Sequence, residues 1–199
     1  MTIRAYWFFG RTLRDGRPIP PDGEWLEHDG PVVPCKSGLH ASECPFDALQ
    51  YAPGEMLALV EVDGTIVRHE NDKLAASRRR IIARFDATGL LHDFACKQAL
   101  SVAHLWDMPA IVREYLETRD ESKRDASRAA ARDASRAAAR DASRAAAWDA
   151  AWAAASAAAW AAASAAAWAA ARDAAIGAQR KAFREAVEEK FAELTKCAS

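Results

Sequence analysis

The stretch RDASRAAARDASRAAARDASRAAA, residues 124–147, is one octad written three times, and its reading decides how the chain is divided. The alanine beat then continues through Trp148, Trp152, Trp160 and Trp168, with Ser156 and Ser164 between them. Alanine is the best helix former, and long alanine-rich segments are helical without tertiary support. No proline follows Pro109, and Gly177 is the one glycine of this region. The spacing predicts a long helical arm over residues 118–199. An unbroken helix from Asp120 to Lys196 would measure roughly 115 Å at ~1.5 Å per residue. Gly177 is the expected place for any fold-back.

Four residues advance a helix by about 400°, so the arginine and tryptophan row winds around the cylinder. A coiled-coil seam needs a repeat near 3.5, and an ice-binding face needs an in-line stripe; a strict beat of four gives neither. Asp125, Asp133 and Asp141 each precede an arginine by three residues, a weakly favourable pairing that keeps the helix solvated. Residues 150–171 carry no charge over 22 positions, a length that spans a bilayer. Alanine is near neutral in transfer and the two serines add cost, so a membrane span is not expected. From 177 to 196 the pattern becomes amphipathic, with Phe183, Val187, Phe191 and Leu194 continuing a stripe begun at Ile176. That stripe suits self-association or a return onto the N-terminal part; the pattern alone does not choose.

Residues 1–117 read as a compact α+β head. Ile3, Ala5, Trp7 and Phe9 alternate with Arg4, Tyr6 and Phe8, the period of a strand. Arg14–Glu24 holds three prolines and two Asp-Gly pairs and is loop. Leu39–Ser42 is a short strand, and Pro45 opens a helix through about Tyr51. Met56–Val62 and Thr65–Arg68 flank Asp63-Gly64 as a hairpin would. Ser77–Phe85 is a further strand in which Arg79 faces opposite to Arg78 and Arg80; the run reads as a solvated edge, with an anion or phosphate contact as the alternative. Thr88–His104 is an interrupted helix, and Asp107 caps another that buries Ile111, Val112, Tyr115 and Leu116.

The net charge of −1 divides into 13 Lys and Arg against 17 Asp and Glu before residue 118, and 14 against 11 after it. This is too even for a nucleic-acid surface. Cys35, Cys44, Cys96 and Cys197 form no disulfide framework, and no secretory signal occupies Met1–Arg4. The expected setting is therefore a reducing cytoplasm. Cys35, His40 and Cys44 have C-x4-H-x3-C spacing, which lacks a fourth zinc ligand, so no metal is expected. Cys96 reads as a core thiol without a neighbouring base, and His92 and His104 as structural.

The segment CKSGLHASECPFDALQYAPG, residues 35–54, carries the strongest motif. Gly38, Leu39, His40, Ala41 and Ser42 lead into Pro45, Asp47, Ala48, Leu49 and Tyr51, with Asp72-Lys73 further on. This pattern resembles a domain of uncharacterised function in phage and prophage proteins. The opening IRAYWFFGRTLRDGR and the LWDMPAIVREYLETRDES before the repeats are similar to the same group. The resemblance brings no known activity with it; features built for shape and candidate chemical groups without support point to a non-enzymatic structural or interaction protein of the host cytoplasm or a virion, with a partner-binding head and an arm that spaces or self-associates. The strand and helix ending in Tyr51 also resemble the NAD-pocket segment of ADP-ribosyltransferases. That second resemblance implies NAD as cofactor, with Arg4 on the first strand, His40 and Ser42 lining the nicotinamide site, Tyr51 stacking, and Glu61 orienting the ribose hydroxyl. The first strand lacks an H-G or R-G pair, however, and no E-x-E follows. For the arm, circular dichroism of residues 118–179 as an isolated fragment should be dominated by helix; a coil spectrum would refute the reading.

Overall fold

The computed structural model describes residues 2–69, 72–152 and 157–196, and for residues 138–139, 141–152 and 157–173 the backbone alone. The chain is of the α+β class, an N-terminal antiparallel sheet followed by helices. Two compact units are formed: residues 1–91 together with 180–199, and residues 92–179. Contacts thus join residues 180–196 to the sheet, whereas composition alone sets them with the arm.

The sheet of the first unit is built on two 14-residue strands, β4 (Met56–His69) and β5 (Lys73–Asp86). β1 (Ile3–Phe9) pairs with β4 from Ile3↔Val62 to Phe9↔Met56. On its other side β5 pairs with β2 (Leu26–Glu27) and with β3 (Leu39–Ala41), where Leu39 faces Ala76 and Ala41 faces Leu74. Just past β3, Ser42 exchanges two backbone hydrogen bonds of 2.8 and 2.9 Å with Tyr6 on the outer edge of β1. The sheet therefore curls until its two sides meet, and β1 has no bare edge at that point.

Inside the curl lie Ala5, Phe9, Ala41, Ala58, Val60, Val62, Leu74, Ala76 and Ile81. Four of these nine are alanines, the side chain that lets backbones approach in a narrow interior. Asp63-Gly64 is not the hairpin turn expected from sequence. β4 runs straight past it, and the register with β5 shifts between Asp63 and Ile66. Gly64 has φ +76°, Ser77 Oγ accepts from the Thr65 N–H at 2.9 Å, and a Cβ on Gly64 would collide with that oxygen. Positive φ is required there, but by a bulge. The chain reverses instead between His69 and Lys73.

Outside the curl, α1 (Pro45–Leu49) and the end of α5 (Ala157–Lys196) cover the sheet. Phe183 and Val187 are fully buried and Phe191 is 4% exposed. Phe183 meets Phe46 edge-on at 5.9 Å, while Phe191 lies 6.0 Å from Tyr6 and 5.1 Å from Phe85. The amphipathic stripe is thus buried on the same chain. α5 passes through Gly177 without a break, so the glycine is no fold-back point.

In the second unit, α2 (Thr88–Ser101) is followed by a 3₁₀ turn at Ala103–Leu105 and by α3 (Ala110–Thr118). Pro109, not Asp107, stands at the start of α3, with no side-chain cap. α3 ends at Arg119 in the left-handed conformation, φ +58°, and the Arg119 guanidinium pairs with Asp93. Asp120 then caps a turn through the Ser122 N–H at 3.0 Å, and α4 (Arg124–Trp152) follows against α3. The tryptophan row from Trp148 to Trp168 lies outside the residues whose side chains are described. Among the described residues no helix is long and apolar enough to cross a membrane.

Truncating the Phe183 ring removes the centre of the α5 contact. Phe183→Ala should lower unfolding stability by about 3–5 kcal/mol in urea titration. An effect below about 1 kcal/mol would mean the helix end is not part of the cooperative unit.

Candidate functional site

The motif residues converge on one end of the curled sheet. β3 and the bend before it bring His40 beside Cys35, and α1 delivers Asp47 and Tyr51 toward the start of β5, where Asp72 and Lys73 stand. Cys35 takes a left-handed backbone, φ +67°, which aims its N–H at His40 Nε2 at 3.1 Å. The imidazole therefore accepts at Nε2, and Gly38 takes the proton of the other nitrogen through its backbone. Burial first, then the charges of Arg79, Lys73 and Arg14, push the His40 pKa below its usual value. His40 is a neutral, doubly held ring.

The Tyr51 hydroxyl donates to Asp72 Oδ2 and accepts from Lys73 Nζ at 3.2 Å. Lys73 also sits 4.3 Å from the centre of the Tyr51 ring. The phenol's pKa is raised, chiefly by the bond to Asp72 and against the opposing effect of Lys73. Lys73 in turn touches the Cys35 side chain, which helps hold its pKa above the ordinary lysine range. A chain of contacts thus runs from His40 through Cys35 and Lys73 to Tyr51 and Asp72.

Asp47 lies beneath this chain on α1, and its side chain is 2% exposed. Oδ2 takes an ion pair from Arg180 on α5, whereas Oδ1 is buried with no hydrogen-bond partner. Burial raises its pKa and the Asp72 charge adds to the rise; Arg180 opposes both without cancelling them. The Asp72 Oδ1 atom is likewise buried and without a partner.

The residues of the transferase resemblance fall into two groups. Arg4 and Glu61 face each other in register across β1 and β4. Glu61 is 16% exposed and takes two bonds from Arg80, at 2.9 and 2.6 Å, with Arg4 3.9 Å away. His40 and Tyr51 belong to the contact chain around Lys73. Ser42 is buried, with its backbone spent on Tyr6. For a metal, Cys35 is exposed and Cys44 is buried beside Arg184, and among the described residues no three potential ligands gather.

Two features escaped the sequence reading. Arg79 is not on a solvated edge: β5 is paired on both sides, and the side chain is 5% exposed. Its guanidinium lies 3.5 Å from the Trp7 ring centre and Nη1 donates to the His40 carbonyl at 2.6 Å. Burial lowers its pKa to about 9, which leaves it cationic at neutral pH. In the second unit Cys96 does have a base nearby. His92 Nε2 is 3.8 Å from its sulfur and 3.1 Å from the Tyr115 hydroxyl. The i, i+4 spacing of His92 and Cys96 on a helix was the available signal. Burial pushes the Cys96 thiol pKa up, so the pair is not an activated nucleophile.

Residues 3–93 match the family model of a domain of unknown function, DUF7666. No curated protein and no solved structure matches the chain.

The raised pKa of Asp47 fixes the sign of a pH effect. A carboxyl whose folded pKa exceeds its unfolded value costs stability as pH rises from the unfolded value through the folded one, because the fold disfavours the charged form. Wild type should therefore lose stability relative to Asp47→Asn as the pH is raised from about 4 to neutrality. Paired denaturant titrations at the two pH values check this, and a difference that stays constant with pH rejects it.

Proposed function

We propose that the chain is a non-enzymatic structural or interaction protein of a phage or prophage. Its head binds a protein partner, and its helical arm spaces or oligomerises. One observation carries the choice over the transferase alternative: the Glu61 carboxylate is already neutralised. A carboxylate that orients a ribose hydroxyl needs an accepting oxygen facing the substrate. Glu61 instead has Arg80 on Oε2 and Arg4 close to Oε1, in a cross-strand cluster on the sheet. An ion cluster of this kind ties β1, β4 and β5 together. The motif resemblance supports the phage or prophage setting, and with it work in the host cytoplasm or on the virion.

The burial of the helix stripe supports a particular use of the arm. Phe183, Val187 and Phe191 are spent on the sheet of their own chain, so self-association falls to the alanine-rich part. Small side chains there permit close helix–helix approach.

The full chain incubated with labelled NAD and bacterial lysate should transfer no label. Transfer that disappears in Glu61→Gln would overturn the non-enzymatic reading in favour of an ADP-ribosyltransferase.

A further inference from the structure

The end of α5 is seated on the first unit without entering its interior. All nine residues of the core inside the curl lie between Ala5 and Ile81, and the seam at Tyr6 and Ser42 closes the sheet from within the same stretch. The family match also ends at residue 93, well before the helix segment that covers the outer wall. Residues 180–196 therefore lie against a domain whose sheet and interior are complete without them.

The seat has the layout of a groove for a helix. Phe8, Leu57 and Phe85 stand opposite one another in register across β1, β4 and β5 and so share one face. Phe191, 5.1 Å from Phe85 and 6.0 Å from Tyr6, places that face under α5. Farther along, Phe183 meets Phe46 of α1 at 5.9 Å, and Arg180 reaches the buried carboxylate of Asp47. The buried anchors Phe183, Val187 and Phe191 recur every four residues, the spacing by which an amphipathic helix lies in a groove. On the exposed side Lys181 pairs with Glu185 at 3.9 Å and Lys190 with Glu193 at 3.0 Å, both within the helix. An apolar row with a buried acid at one end is thus matched by an apolar stripe with a base at one end, and the charges fix the direction of the helix.

We propose that this outer groove is the head's protein-binding site, that its partners are amphipathic helices in which an arginine is followed by an aromatic residue three positions on and another eight after that, and that residues 180–196 are a tethered copy of such a ligand holding the site closed. The inference rests on the reading of the head as a protein-binding module and names its surface. Tethering keeps the segment at high local concentration, so a free helix enters only where it binds more tightly or where the segment is released. Docking also stabilises the sheet by linkage, so weakening the seat lowers stability whether the segment is a ligand or a part of the core. The two differ in whether the sheet stays folded once the segment has gone.

The test uses the full chain with a protease site in place of the exposed residues 174–178. After cleavage and dialysis to remove the segment, a fluorescein-labelled peptide of residues 179–199 is titrated in and followed by anisotropy, with the amide ¹H–¹⁵N spectrum of the sheet recorded alongside. Saturable uptake by a sheet that keeps its dispersed spectrum is the expected result, and the uncleaved chain should bind the peptide about a hundredfold more weakly, because its own segment competes. Arg180→Glu in the peptide should weaken binding about tenfold, the loss of one charge-assisted contact, and Phe183→Ala with Phe191→Ala should abolish saturation. A sheet that unfolds once the segment leaves would make α5 part of the core and overturn the proposal. So would a folded sheet that takes up no peptide, equal binding by cleaved and uncleaved chains, or equal binding of a scrambled peptide of the same composition. Label transfer from NAD would instead count against the head as an interaction module, so the two failures are distinct.

Discussion

Two backbone hydrogen bonds between Tyr6 and Ser42 hold the first unit in the form from which its other features follow. Without them β1 would be an open edge and the interior a sheet face in need of a large cover. With them, the sheet curls onto itself and its interior becomes too narrow for large side chains on every strand. That explains why Ala5, Ala41, Ala58 and Ala76 stand where an open sheet would carry valine or isoleucine. It also explains how one arginine comes to be enclosed. His40 and Ser42 are two positions apart, one at the bend of the site and the other in the seam, so the GLHAS motif is first a closing device.

The outer wall has a different requirement. Its aromatic residues, Tyr6, Phe46 and Phe85, are met by Phe183 and Phe191 from more than a hundred positions away. The Asp47–Arg180 pair stands beside this contact and gives it a register. A buried carboxylate with one free oxygen is a poor source of stability, so its role is better understood as specifying how α5 seats than as strengthening the seat. The apolar rings supply the favourable free energy.

Much of this was legible in the residues, and the failures have physical causes. β1, β3, α1 and the interruption of α2 were readable because their periodicity and proline placement are local. The fold class followed from the same signals. Asp63-Gly64 carried the correct information, a positive φ, but a turn and a bulge make the same demand; only the partner, Ser77, separates them. Arg79 was misread because its neighbours' exposure was extended to it. Its burial depends on β2 and β3 pairing along β5, which no window around residues 78–80 contains. Two local signals were overlooked rather than absent. Asp72-Lys73 belonged to the motif but was not joined to Tyr51, and His92 precedes Cys96 by one helical turn.

The three consecutive arginines show how one strand can sort identical side chains by environment. Arg78 and Arg80 lie 4.7 and 4.8 Å from the Trp25 ring, at least a third exposed, each with an acid at hand. Arg79, on the other side, has an indole as well, but among the described residues no acid pairs with it. An aromatic face attracts a cation without neutralising it, so the outer pair is balanced and the inner one is not. Had the interior position served packing alone, an aliphatic side chain would fill it at far lower desolvation cost. The chain instead keeps a guanidinium there, 3.5 Å from the centre of the Trp7 ring and bonded to the His40 carbonyl. The paired arginines on either side of it show what the same strand builds where acids are at hand.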